Sequence, residues 1–264
     1  MSAVIQNSND DQLVRVDRVG TVVTVTMNRP GQYNALSEGL LDALHSTLEA
    51  LSRDESARVV VLAAAGKAFC AGHDLREMRA QPSLEYYQQL FSRCAKVMMT
   101  IQTMPQPVIA RVQGIATAAG CQLVAMCDLA VASEEAKFAV SGVNLGLFCS
   151  TPSVALSRNL SRKAAFEMLV TGEFIDAQTA VQRGLINHAV PAELLDAEIN
   201  RIAQLIAAKP AVAIAAGKGL FYRQLEMGID AAYQLAGQTM ACNMMAEPTL
   251  EGVQAFIEKR KPNW

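Results

Sequence analysis

Two hydrophobic rhythms run through this chain. TVVTVTMN (21–28) is β-branched at most positions and runs into Pro30, which predicts a strand followed by a turn. Beyond Ser37, a suitable N-cap, Leu40, Leu41, Leu44, Leu48 and Leu51 recur at helical spacing. ARVVVLAAAG (57–66) is an almost unbroken apolar run closed by glycine, as a strand buried on both faces would be. Residues 67–82 read as a loop of small and charged residues. A helix follows through about Thr103 and is stopped by Pro105 and Pro107.

PVIARVQG (107–114) reads as a strand that leads into a small-residue turn and a helix reaching about Cys127. DLAVAS (128–133) and KFAV (137–140) read as short strands, with Glu134 and Glu135 on a surface turn between them. STPSVALSRNL predicts a helix with Thr151 as cap and Pro152 at its first position. DAQTAVQRG (176–184) is bounded by a capping Asp176 and a terminating Gly184. From Pro191 the pattern is helical almost to the end, where Met240, Met244 and Met245 suit core or interface filling. The pattern therefore predicts an α/β fold, its strands mostly parallel, with a helical C-terminal region.

Composition narrows the function classes. The 264 residues are 51% hydrophobic, enough for one large core, and the formal charge is −2 from 23 basic and 25 acidic residues. No basic stripe and a single Trp argue against nucleic acid. No window reaches the ~18 apolar residues of a membrane span. Residues 1–12 read as frayed and polar, and the N-terminus, with Asp10, Asp11 and Asp17, reads as neither a secretory signal nor a transit peptide, so a cytoplasmic location is expected; a mitochondrial matrix location would need a leader outside this sequence. Six cysteines without C-x-x-C spacing suit reduced thiols, and His45, His73 and His188 are too scattered for a metal site.

The chemistry gathers in two stretches. GIATAAGCQLVAMCD (114–128) packs small residues between a strand and a helix, where backbone N–H groups are free at the positive end of the helix dipole. KAFCAGHDL (67–75) has the same look, with Ala71 and Gly72 after a buried strand. Two donors from two such bends can converge on one carbonyl oxygen, the geometry of an oxyanion hole; close packing of turns against the core is the simpler alternative.

MNRPGQYNALS (27–37), GKAFCAGHDLREM (66–78), ARVQGIATAAGCQLVAMCDLAVASEEAKFAV (110–140), EMLVTGEFIDAQTAVQRGLINHAVP (167–191) and EGVQAFIEKRKPNW (251–264) together resemble the crotonase family, the enoyl-CoA hydratases and isomerases. The resemblance implies a spiral of ββα turns over 13–195 and a C-terminal helical region over 196–264 that takes part in trimers or hexamers and in the CoA site. It implies that the main-chain N–H groups of His73 and Ala119 polarise an acyl-CoA thioester, with coenzyme A present only as part of the substrate. Arg29, Lys67, Arg76, Lys259 and Lys261, with the backbone at Ala71, are the implied contacts of its nucleotide end.

The family's hydratases use two glutamates, and here Gln122 and Gly142 stand at those positions. Glutamine cannot accept a proton near neutral pH, and glycine has no side chain. Each lost acid–base group costs ~10²–10⁴ in rate, so ordinary enoyl-CoA hydration is expected to be poor. Ser150 stands at a place where some relatives carry an acid or nucleophile; with Cys149 or Asn144 it is a candidate for acyl contact, or else a helix cap with Thr151. Decarboxylation needs few side chains and is a further option. The expectation is an acyl-CoA protein of lipid metabolism that stabilises a thioester enolate, or a non-catalytic acyl-CoA binder. Restoring both carboxylates, Gln122→Glu with Gly142→Glu, is the direct test at the level of sequence.

Overall fold

The computed structural model describes residues 12–264; the polar stretch before them lies outside the described residues. The chain opens with an antiparallel pair, β1 (Val14–Val19) and β2 (Val22–Met27), then α1 (Glu38–Ser52). Ser37 caps α1 by accepting the Leu40 N–H, and the five leucines predicted at helical spacing are all buried. Each buried leucine contributes about 1.5–3 kcal/mol.

Three turns of a spiral follow. The first is β3 (Val59–Ala64), β4 (Ala68–Cys70), α2 (Leu75–Ala80) and α3 (Leu84–Thr103). The second is β5 (Val108–Val112), β6 (Ile115–Thr117) and α4 (Ala119–Met126). The third is β7 (Leu129–Ser133), β8 (Lys137–Ala139), a 3-10 turn over Ser141–Leu145 and α5 (Ser150–Asn159). Each turn gives one strand to a six-stranded sheet, ordered β1-β2-β3-β5-β7-β10, and one to a four-stranded sheet, ordered β4-β6-β8-β9. Pairing is parallel except at β1–β2 and β8–β9. The chain continues through α6 (Arg162–Thr171), β9 (Ile175–Asp176), α7 (Ala177–Arg183) and β10 (His188–Val190) to α8 (Leu195–Ala207), α9 (Ala211–Leu225), α10 (Ile229–Met244) and α11 (Glu247–Ile257).

Residues 67–82, expected as a loop, hold β4 and α2. Three residues of strand and six of helix are too short to show a period, and β4 is a strand only because β6 runs beside it. The expected small-residue turn contains β6 for the same reason. Thr151 is not a cap: α5 starts at Ser150, Cys149 is its N-cap residue without a side-chain cap bond, and the Ser150 hydroxyl donates to Phe148 O at 3.3 Å. Asp176 and Gly184 bound α7 as predicted.

The expected division at residue 195 falls on the first residue of α8. This helix packs Leu195, Ile199 and Ala203 against Val22, Val59, Val61, Ile109 and Val131 of the larger sheet. α9 is tied to the core by a buried ion pair. Lys218 Nζ donates to Asp128 Oδ2 at 2.7 Å and to the carbonyls of Ile101 and Gln106, while the Tyr222 hydroxyl donates to Asp128 Oδ1 at 2.8 Å. Met240 and Met245 are 70% and 76% exposed, so within one chain they are not core filler. All six cysteines are free thiols.

Candidate active site

β4 and β6 are parallel neighbours, and both of the expected donors follow from their pairing. Cys70 pairs with Ala116 after a register shift between Ala68 and Cys70. Three residues on from each partner lie His73 and Ala119. Gly72, at φ +92°, lets the two bends nest: a Cβ on it would lie 2.9 Å from Ala118 Cβ and 3.4 Å from Ala119 N.

The two amides are unspent for different reasons. Leu36 forms an isolated parallel bridge with His73, in which Leu36 N–H donates to Gly72 O at 2.8 Å and Asp74 N–H donates to Leu36 O at 3.3 Å. That bridge uses the groups on either side of the His73 N–H and leaves it free. Ala119 opens α4, so its N–H has no acceptor within the helix. The residue before it, Ala118, sits at φ 51°, ψ −121°, a region that favours glycine, and its own N–H donates to Ala139 O at 2.9 Å. Such strain costs about 1–3 kcal/mol. Gly120 has another reason to be small: a Cβ there would lie 2.2 Å from Cys70 O. The small residues of this bend thus serve two ends, close packing at 120 and an open amide at 119.

The turn before α1 acts as a splint for the first bend. Asn34 is fully buried and saturated: its Oδ1 accepts the Arg29 N–H at 2.9 Å, and its Nδ2 donates to Ala65 O at 2.8 Å and Ala68 O at 2.9 Å. Ala71 N–H donates to Tyr33 O at 3.1 Å. Gln113 Nε2 holds the carbonyls of Ala64, Gly66 and Ala68 from the other side. Sequence reading missed the side chains of Asn34 and Gln113, and the local signal for Asn34 was a polar residue between a proline turn and an apolar helix.

A cavity of about 290 Å³ lies against both bends, bordered by Ala71, His73, Ala118 and Ala119. Leu75, Met78 and Phe91 also line it, as do residues 147–152 with Ser141, Gly142 and Leu145. Among the described residues, no carboxylate, lysine or arginine lines it. Its titratable groups are His73 and Cys149. Burial pushes the His73 imidazole down to about 4, against a weaker opposite pull from the Leu36 backbone. Neither ring nitrogen makes a hydrogen bond, and the ring packs edge-on to Phe91 at 5.5 Å. Burial raises the Cys149 thiol, with the Gly142 N–H acting the other way. At neutral pH the lining therefore carries no formal charge.

Of the other expected residues, Ser150 lines this cavity and Gly142 borders it without room for a side chain: a Cβ would lie 2.5 Å from Leu147 O and 2.7 Å from Cys149 Sγ. Gln122 is buried on α4 with its Oε1 unpartnered, but it is not among the lining residues. Asn144 is turned away, its Nδ2 donating to Gly172 O at 3.4 Å.

The cations divide. Arg29 does not stand free for a phosphate: it donates to Ala35 O at 2.6 Å and pairs with Asp74 at 3.1 Å. Lys67 is exposed, its Nζ 5.1 Å from the Tyr33 ring centroid. Arg76 is exposed on α2, beside the lining residue Leu75. Lys259 and Lys261 lie beyond α11, whereas no lining residue lies beyond Pro152. Within one chain the structure does not bring them to the cavity.

The family model described as Enoyl-CoA hydratase/isomerase matches residues 17–264. The rat protein named enoyl-CoA hydratase domain-containing protein 3, mitochondrial, is 46% identical over 240 residues, which span 91% of this chain and 80% of that protein. A crystal structure of an enoyl-CoA hydratase from Mycobacterium smegmatis matches with a TM-score of 0.95 and 63% identity, over 96% of this chain and 99% of that one. The crystal structure of the human domain-containing protein 3 matches with a TM-score of 0.93 and 43% identity, over 96% and 100%. Among the described residues no single helix is long and apolar enough to cross a membrane.

Proposed function

The chain belongs to the enoyl-CoA hydratase/isomerase family, and on that premise we propose that it binds acyl-CoA thioesters and polarises their carbonyl between the N–H groups of His73 and Ala119. The observation that carries this reading is the pair of unspent amides at equal offsets from one strand pairing, on the edge of an apolar cavity. Two donors on one oxygen stabilise the enolate that forms when a bond at the α carbon is broken or made, and each such donor is worth about 2.7–4 kcal/mol of transition-state stabilisation.

Ordinary hydration is a poor fit. It needs a water held and a proton moved, and no carboxylate among the described residues lines the cavity. The reading is therefore an enzyme of lipid metabolism that keeps enolate stabilisation without the usual acid–base pair. The same lack of proton carriers favours a second reading, a non-catalytic acyl-CoA binder. Lys67 and Arg76 are the exposed cations placed to meet the nucleotide end. The exposed apolar side chains of α10, Ile229, Tyr233 and Met240, suit a homotrimer or hexamer, in which Lys259 and Lys261 would serve a neighbouring site. We place the protein in an aqueous compartment that handles CoA esters, the cytoplasm, or the mitochondrion that the relatives' names state for them.

The test is the carbonyl stretch of ¹³C=O-labelled butyryl-CoA by infrared difference spectroscopy, together with turnover of crotonyl-CoA. The expected result is a downshifted carbonyl band and slow or no hydration. An unshifted band removes the two-amide grip, and rapid hydration removes the account of the missing carboxylates.

A further inference from the structure

The uncharged cavity has a consequence for the acyl group it can accept. Its lining includes Leu75, Met78, Phe91, Leu147 and Phe148, together with Gly142 and Cys149. The nearby cations stay outside: Arg29 is paired with Asp74, and Lys67 and Arg76 are exposed and do not line the cavity. Beyond the two amides assigned to the thioester, the feature with anion-holding character is the first turn of α5, which borders the cavity at Ser150–Pro152. Its donors are mostly spent or missing. Ser150 N–H donates to Phe148 O at 2.8 Å, and Ser153 N–H donates to Cys149 O at 2.9 Å. Pro152 has no N–H. The Ser141 hydroxyl is shared with Thr117 at 3.0 Å.

We propose that this cavity selects acyl groups with an uncharged, apolar end and rejects those ending in a carboxylate, its uncharged lining enforcing the choice. The inference rests on the thioester reading of the site. With the two free amides taken by the thioester oxygen, a carboxylate brought into the cavity loses water and gains no cation from the described lining residues in return. An alkyl end loses nothing and is drawn in by the surface it buries. Of the chemistries left open by the sequence, decarboxylation of a malonyl-type ester is the one this disfavours.

The experiment compares malonyl-CoA with 3-methylbutanoyl-CoA, which place a carboxylate and an isopropyl group of similar shape on the same carbon. Dissociation constants are measured calorimetrically on the whole protein, with mass spectrometry of the mixtures afterwards. The malonyl ester is expected to bind at least ~30-fold more weakly. Leu147 is 51% exposed, so Leu147→Arg adds a cation at the rim without disturbing the core; it is expected to narrow the gap about tenfold by tightening malonyl-CoA alone. Equal binding of the two esters, conversion of malonyl-CoA to acetyl-CoA, or a folded Leu147→Arg variant with an unchanged gap would each overturn the proposal. If 3-methylbutanoyl-CoA itself does not bind, the thioester reading fails, and the selectivity falls with it; loss of selectivity with both esters bound leaves that reading standing.

Discussion

Cys149 Sγ accepts the Gly142 N–H at 3.3 Å and occupies the volume that a side chain at position 142 would need. A sulfur and the Leu147 carbonyl fill the space beside Gly142, and a glutamate cannot be placed there without moving both. Gly142→Ala is expected to cost about 2 kcal/mol by overpacking. Gln122→Glu with Gly142→Glu is expected to melt below Gln122→Glu alone and to hydrate crotonyl-CoA no faster. A double variant as stable as wild type and active as a hydratase would show that the loop yields.

His73 gives a pH signature that separates its ring from its amide. The unfolded chain takes up the imidazole proton near 6.5 and the folded chain only near 4. Between those values the unfolded state binds more protons, so stability falls as the pH is lowered from 6.5 to 4 and the loss is complete below 4. The ring accounts for about 2–3 kcal/mol of that fall. Urea unfolding at pH 7 and pH 4 should show the difference in wild type and lose that part of it in His73→Gln, which keeps the backbone N–H.

Asn34 fixes the bend that carries that N–H. Asn34→Asp sets a carboxylate oxygen against the carbonyls of Ala65 and Ala68, where a donor now sits. The expected loss is about 2–4 kcal/mol of stability, from two orphaned acceptors and a repulsion. Acyl-CoA affinity measured well below the melting temperature should fall as well, because the splint sets the amide's aim. Unchanged affinity in a folded variant would limit Asn34 to stability.

Ala118 holds a backbone conformation that glycine adopts freely. Ala118→Gly is expected to gain about 1 kcal/mol, the relieved strain less the added chain entropy of glycine, and to raise the melting temperature by roughly 2 °C. Differential scanning calorimetry reads this directly. A drop in melting temperature would mean that the Ala118 methyl packs more than it strains.

Lys218 is the buried half of an ion pair, and Lys218→Ala leaves Asp128 without its cation. The expected cost is about 3–5 kcal/mol. Asp128 would still accept from Tyr222 and from the Val108 N–H at 2.6 Å. Chemical denaturation gives the figure, and a loss under 1 kcal/mol would mean that water replaces the ammonium.

Elements that bury a whole face were legible. The leucines of α1 and the apolar run of β3 announce themselves because each extends over several periods. β1 was not seen: its last four residues, Val16–Val19, are exposed, so no buried face marks the sequence. β4, β6 and α2 are too short to carry a rhythm, and they are the elements that place the site. The two amides were reached through resemblance and position, not through side-chain pattern, since a backbone donor leaves no residue type behind. The splinting amides of Asn34 and Gln113 were invisible for the opposite reason: their partners are carbonyls, which every residue has. Arg29 illustrates the converse case, a cation whose carboxylate partner, Asp74, lies 45 positions away in the sequence.

The register shift between Ala68 and Cys70 lets three residues of β4 run against two of β6. Without that extra residue the two bends would leave their strands out of step. The gauge between the amides is thus cut by main-chain geometry, in the pitch of neighbouring strands, and owes nothing to the identity of any catalytic side chain. Main-chain geometry of this kind tolerates side-chain replacement around it, because the spacing of two backbone amides does not depend on which residues carry them.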